Sequence, residues 1–88
     1  MKVRFFKPFD EIAGDKEIDI ALKKAIPVKE LLAILADRIP AFKPYVRKEG
    51  DEVQSFFVIL VRADEILHLS DLVRDGDEVK VLPPISGG

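Results

Sequence analysis

The segment from Pro27 to Ile39 most constrains the fold, because it is the longest stretch with a helical period. Its apolar residues recur at every third or fourth position, whereas charged residues occupy the opposite side; the apolar set is Val28, Leu31, Leu32, Leu35 and Ile39. Pro27 suits the first helical turn and Pro40 discourages helical backbone at Ile39, so both ends are marked. A helix with one apolar side needs a second layer, and we expect a β-sheet.

Three segments, 2–6, 17–22 and 78–82, alternate polar and apolar residues and therefore predict strands. The first two are separated by a turn signal at Gly14 and Asp15, and they form a predicted hairpin. In each strand one set of alternating residues is expected to face the core. These residues are Val3, Phe5, Ile18, Ile20, Leu22, Val79 and Val81.

The middle of the chain gives weaker signals. In the run 56–61 the residues on both sides of the expected strand are apolar. This pattern is typical of a strand inside the sheet that is covered on both faces, or of one whose outer face meets a partner. Residues 41–51 predict a loop with one inward helical turn, and 69–73 predict a second helical turn. A tight turn is expected around Gly76, which takes a positive φ at little cost. The inward residues of the first turn are Phe42, Tyr45 and Val46.

Composition excludes several classes of function. The 88 residues carry 14 basic and 16 acidic side chains without a long block of either sign, so a nucleic-acid surface is not expected. No apolar run approaches the ~20 residues that span a bilayer, and we expect a cytoplasmic protein without membrane contact. Cysteine is absent, which excludes thiolate chemistry, and the Lys- and Glu-rich composition favours a heat-adapted source.

Two other groups of polar residues receive no chemical role. His68, the sole histidine, is expected at the surface rather than in a catalytic site. Asp75, Asp77 and Glu78 lack the ligand number of a calcium loop, and turn formation explains them better. We therefore predict no metal site.

Two prolines, Pro83 and Pro84, follow the last strand and offer no amide proton for further sheet pairing. The chain therefore divides into a folded domain, residues 1–82, and an extended tail, residues 83–88. At ~3.3 Å per residue, the tail reaches roughly 20 Å from the sheet. The element order, β-β-α-β-(β)-β on one core, predicts an α+β roll with a sheet around one helix.

The terminal Pro-Pro-Ile-Ser-Gly-Gly, after the turn Asp-Gly-Asp-Glu-Val at 75–79, resembles the MoaD/ThiS family of sulfur carriers across the whole chain. The resemblance implies a β-grasp, or ubiquitin-like, fold with a mixed sheet of four to five strands around one main helix. Two departures concern the loops. The segment 62–64, Arg-Ala-Asp, stands where many members have an Asn-Gly turn, and Asp10 stands where some relatives have a basic residue that binds a partner.

The resemblance also implies a reaction at Gly88. An E1-like enzyme would adenylate its carboxylate with ATP, and a sulfur donor, such as a cysteine desulfurase or rhodanese, would displace AMP to leave a thiocarboxylate. This sulfur would serve molybdopterin synthesis in the large subunit of molybdopterin synthase. The chain would be the small subunit, with no cofactor of its own and no enzymatic activity alone. The other tail residues would present Gly88; they are Pro83, Pro84, Ile85, Ser86 and Gly87.

Glycine at 87 and 88 has a physical reason in such a tail. Without a Cβ atom, both residues fit a narrow channel and leave the carbonyl open to attack. Three alternatives stay open: a ubiquitin-like modifier joined to lysines through Gly88, a carrier for thiamine or tRNA thiolation, and an interaction domain with an idle tail. The sequence does not separate carrier from modifier, because both use the same tail and activation.

Strand parity also predicts a docking surface. Phe6 and Leu82 share the parity of charged neighbours, so both should project from the sheet face opposite the helix. Two apolar residues on adjacent strands beside the tail indicate a partner-binding patch, and Ile66 is expected to extend it. The resemblance supports this prediction, since family members bind partners through apolar residues at matching positions of the first and last strands.

Overall fold

The computed structural model describes the backbone of residues 1–49, 52–55 and 58–83, and the side chains of 1–46 and 58–83. Two α-helices and a 3₁₀ helix are present, at Phe9–Ala13 (α1), Val28–Arg38 (α2) and Pro40–Tyr45 (3₁₀). The described strands are Lys2–Phe5 (β1), Glu17–Asp19 (β2), Ile26–Pro27 (β3), Val46–Glu49 (β4), Glu52–Ser55 (β5), Ile59–Arg62 (β6), Glu65–Ile66 (β7), Leu72–Val73 (β8) and Glu78–Leu82 (β9).

The main sheet has five strands in the order β2-β1-β9-β6-β7. Strands β1 and β9 are parallel, with Phe5 opposite Val81, and the other neighbours are antiparallel. Two short pairs, β3-β8 and β4-β5, stand apart from it. The mixed sheet with one main helix confirms the predicted α+β, ubiquitin-like architecture.

Helix α2 packs its apolar side on this sheet, as its period predicts. Leu31 and Leu35 are fully buried, together with Val3, Val79 and Val81 from the two central strands. Burying each such side chain contributes roughly 1.5–3 kcal/mol, so this layer supplies much of the stability of the domain. The helix begins one residue later than predicted, because Pro27 is its extended N-cap residue. The backbone N–H of Val28 donates a hydrogen bond to the carbonyl of Asp71 at 2.8 Å, which ties this end of the helix to the loop before β8.

An aromatic cluster closes one end of the core. The ring of Phe42, in the 3₁₀ helix, lies 5.4 Å from that of Phe5 and 5.7 Å from that of Phe9, measured between centroids. Tyr45 meets Phe9 edge to face at 5.4 Å. The predicted inward turn is confirmed, since Phe42 and Val46 are buried and Tyr45 is half-buried.

Four details differ from the sequence predictions. The second strand is only Glu17–Asp19; it pairs antiparallel with β1, which confirms the predicted hairpin, but helix α1 lies in the connection between the two strands. That helix has five residues, too few to show a period, and Phe9 anchors it in the core. The predicted loop 41–51 includes strand β4. Residues 72–73 form strand β8 rather than a helical turn, because they pair with Ile26 and Pro27.

The two turns at the polar end of the sheet follow their residue types. Gly76 has φ +94°, which confirms the predicted tight turn. The turn between β6 and β7 places Ala63 and Asp64 at φ +51° and +66°. An Asn-Gly pair adopts this left-handed backbone easily. Here Ala63 and Asp64 adopt it instead, which costs some free energy because their Cβ atoms crowd the backbone.

Candidate functional site

The last described residues, Leu82 and Pro83, lie at the end of a central strand of the sheet. Strand β9 pairs with β1 on one side and β6 on the other, and Pro83 directly follows its last residue, Leu82. The predictions for Pro84, Ile85, Ser86, Gly87 and Gly88 lie outside the described residues. The division at residue 82 and the reaction at the tail therefore stay predictions.

An apolar groove lies beside this point, on the sheet face opposite helix α2. It has a volume of about 380 Å³. Register explains its composition: Ile59 lies opposite Leu82, and Val61 lies opposite Ile66, so that side chains from β6, β7 and β9 share one face. The residues lining the apolar groove are Ile59, Val61, Ile66, Leu82 and Pro83.

The three predicted docking residues differ in their relation to this groove. Ile66 is 62% exposed and lines it together with half-buried Leu82. Phe6, 38% exposed, lies outside the groove lining, one residue beyond the pair Phe5–Val81. Its side chain therefore continues the same face on the other side of Leu82, where the guanidinium of Arg4 lies 5.9 Å from the ring centroid.

Charged residues occupy the other half of this sheet face and form ion pairs. Lys2 lies 3.3 Å from Glu17, and the guanidinium of Arg4 lies 3.5 Å from the carboxylate of Glu78. Lys80 lies between these residues and the apolar groove, with Arg4 opposite it on β1 and Val61 opposite it on β6. The face is thus apolar next to the tail and charged at the far end.

Two aspartates fix the start of β9. The carboxylate of Asp77 accepts hydrogen bonds from the Arg74 backbone N–H and from the Arg62 guanidinium, each at 2.9 Å. The Arg74 N–H lowers the pKa of Asp77 most; the positive charge of Arg62 adds to this, while partial burial opposes it. The carboxylate of Asp75 accepts hydrogen bonds from the Leu22 backbone N–H and from the N-terminal ammonium of Met1. Both contacts lower the pKa of Asp75, and the Leu22 N–H lowers it most.

Among residues 1–46 and 58–83, no three His, Cys, Asp or Glu side chains are placed to hold a metal ion. His68 is exposed, and its backbone N–H is held by the Asp71 carboxylate at 2.7 Å. In the part of the chain that the structure describes, no helix is long and apolar enough to cross a bilayer.

The sequence predictions missed two residues of the groove lining, namely Ile59 and Val61, whereas strand parity already placed Lys80 on this face. One signal was present, because the run 56–61 is apolar at both parities and so requires an apolar neighbour on its outer side. The pairing of β6 with β9 and β7 could not be deduced from it. Register alone decides that these side chains meet Leu82 and Ile66.

The fold and the tail define a ubiquitin-like β-grasp protein with a terminal Gly-Gly. The chain belongs to the ThiS family, whose model matches residues 3–88. It is similar to small archaeal modifier protein 3 of Haloferax volcanii, with 30% identity covering 100% of this chain and 98% of the relative. It is 29% identical to the molybdopterin synthase sulfur carrier subunit of Chlamydomonas reinhardtii, covering 100% and 98% respectively.

A solved structure gives the same result for the fold. The crystal structure of SAMP1 from Haloferax volcanii superimposes with a TM-score of 0.78 at 25% identity, covering 99% of this chain and 97% of that chain. The relatives therefore include proteins named as modifiers and a protein named as a sulfur carrier. The family is one of sulfur carriers and ubiquitin-like modifiers.

Proposed function

We propose that the protein is a sulfur carrier whose reactive group is the C-terminal carboxylate of Gly88, and that it serves molybdopterin synthesis as the small subunit of molybdopterin synthase. The observation that carries the proposal is the position of the Gly-Gly tail. In sequence it follows Leu82 and Pro83, and the structure places these two residues at the end of central strand β9 and in the lining of an exposed apolar groove. A partner that covers the groove also receives the tail.

The chemistry begins with activation, because a carboxylate repels nucleophiles and oxide is a poor leaving group. One oxygen of Gly88 attacks the α-phosphorus of ATP on an E1-like enzyme, and pyrophosphate leaves. Sulfur at the sulfide oxidation level then attacks the carbonyl carbon, and AMP leaves with the bonding electron pair. A persulfide donor needs a thiol reductant as well. The product is a thiocarboxylate, a soft nucleophile for a pterin precursor held by the large synthase subunit.

The absence of cysteine fits this chemistry. An activated carbonyl on Gly88 would acylate a nearby thiolate, and the chain has no thiol to compete for it. Because activation consumes ATP, we place the reaction in the cytoplasm. Nothing in the route requires the chain to bind a cofactor, since ATP is used by the activating partner.

The docking surface for these partners is the apolar groove with Phe6 beside it. Leu82 and Ile66 are its central and outer anchors, and Phe6, directly after β1, is the third. Exposed apolar side chains of this kind gain most when a partner removes them from water. Gly88 lies six residues after Leu82, and an extended chain of that length spans roughly 20 Å. The active site of the partner must therefore lie within that distance of the groove.

Pyrophosphate release tests the activation step. We expect release that depends on the cognate E1-like enzyme, on ATP and on this chain, and no release with a variant that lacks Gly88 or carries one residue after it. Circular dichroism of both variants is the control for folding. Equal release with the variants would contradict the assignment of Gly88.

A second candidate, a protein modifier, is favoured by the names of two similar proteins, small archaeal modifier protein 3 and SAMP1. The activated Gly88 would then be attacked by a lysine amine, which displaces AMP and forms an isopeptide bond. Peptide mass spectrometry of cell extracts decides between the two: lysines that carry Gly88 would establish the modifier. Their absence in cells without deconjugating proteases, with thiocarboxylate present, would favour the dedicated carrier.

A further inference from the structure

Lys80 lies next to the apolar groove, opposite its lining residue Val61, and forms no ion pair with any side chain that the structure describes. Among residues 1–46 and 58–83, three other cations of this end of the sheet have carboxylates within 4 Å: Lys2 has Glu17, Arg4 has Glu78, and Arg62 has Asp77. No carboxylate among the described side chains lies that close to Lys80.

The neighbours of Lys80 make this position unfavourable in the free protein. Its partner across the parallel pair is Arg4, so two cations stand directly opposite each other. Like charges at such positions destabilise a sheet. Lys80 also borders a hollow that contains Asp64, Asp77 and Glu78, but Glu78 pairs with Arg4 and Asp77 pairs with Arg62. Folding therefore gives Lys80 no direct ion pair among the described side chains.

Binding does give a reason. Lys80 is half-buried and lies opposite Val61, which lines the apolar groove. Neighbouring strands are about 5 Å apart, so a partner that covers Val61 also removes Lys80 from water. A buried cation without a counter-charge is strongly unfavourable, and the cost disappears only if the partner supplies an anion.

We infer that Lys80 selects the partner: the surface that docks on the apolar groove presents an aliphatic or aromatic side chain to the groove and a carboxylate to Lys80. This inference rests on the docking function proposed above. A second copy of this chain fits less well, because a two-fold contact through this face brings Lys80 and Arg4 towards the same cations of the other copy. A carboxylate-bearing partner instead offsets both charges.

Affinity measurements with the large synthase subunit and with the E1-like enzyme test the inference. Lys80→Glu should weaken binding by about tenfold or more, and Lys80→Met by less, because methionine keeps the apolar stem without introducing repulsion. Lys29→Glu is the matched control, since it makes the same change in net charge at an exposed position of helix α2. It should leave affinity within about twofold.

Two further readouts separate an ion pair from a structural role. Raising the salt concentration should weaken wild-type binding more than binding of Lys80→Met. Thermal stability should be unchanged or higher in both Lys80 variants, because the repulsion with Arg4 is removed. Lys80→Arg should retain most of the affinity, since it keeps the charge.

The possible failures are distinct. If Leu82→Ala weakens binding but Lys80→Glu does not, the carboxylate contact is refuted and the proposed docking surface stands. If the wild-type chain instead dimerises in sedimentation experiments, and Ile66→Ala abolishes the dimer, a second copy occupies the groove and the inference is wrong. If the wild-type chain binds neither probe, the proposed function itself fails.

Discussion

Replacing Ile66 with alanine separates docking from folding. Ile66 is 62% exposed, so folding covers roughly two-fifths of its surface. Full burial of an isoleucine side chain contributes roughly 1.5–3 kcal/mol, and the covered part therefore stabilises the fold by only about 0.6–1.2 kcal/mol. If a partner buries the remainder as an interface anchor, truncation costs about 1–3 kcal/mol of binding, which raises Kd roughly 5- to 150-fold.

Leu72→Ala is the matched control for Ile66→Ala. Leu72 is also a large exposed apolar residue, 46% exposed, but it lies on β8 and does not line the apolar groove. Both variants should lose about 1 kcal/mol of stability in urea unfolding, and only Ile66→Ala should lose affinity in calorimetric titration with the large subunit. Equal affinity losses in the two variants, or an affinity of Ile66→Ala within about twofold of the wild type, would refute the assignment of the groove as the docking surface.

Three predictions concern the fold. Phe42→Ala should cost about 3–5 kcal/mol in urea unfolding, because it empties the centre of the aromatic cluster; a loss below 1 kcal/mol would contradict its burial. Gly76→Ala should cost about 1–3 kcal/mol from the positive φ alone, since no atom lies within 4 Å of the added Cβ. The pKa of Asp77 is lower in the folded state than its ordinary value of 3.8. Its ionised carboxylate therefore stabilises the fold fully above pH 3.8, and this stabilisation is lost as the pH falls through the lowered pKa. In unfolding experiments from pH 6 down to about 2, Asp77→Asn should show a smaller loss of stability with falling pH than the wild type.

Local patterns predicted the elements that have a clear period. Helix α2 and strand β9 are confirmed almost to the residue, because each alternates or repeats against one continuous core. Parity also placed Phe6 and Leu82 on the outer face correctly, as the burial of Phe5 and Val81 shows. Both results need only the residues within one element.

Features that depend on distant residues were not predictable in the same way. Residues 72–73 are a strand only because β3 offers a pairing edge, and nothing local to Leu72 shows this. Helix α1 is too short for a period and is held by Phe9 against Phe42. The apolar groove combines three strands, so its lining became known only with the register of β6.

The central claim, that Gly88 carries sulfur, is tested most directly by the intact mass of the chain. The protein is incubated with its E1-like enzyme, ATP and a sulfur donor, and the mass is compared with a reaction that lacks ATP. We expect the mass of a protein in which one oxygen is replaced by sulfur, and fragmentation should place the sulfur on Gly88. An unchanged mass, with an enzyme shown to be active on the chain by pyrophosphate release, would contradict the account.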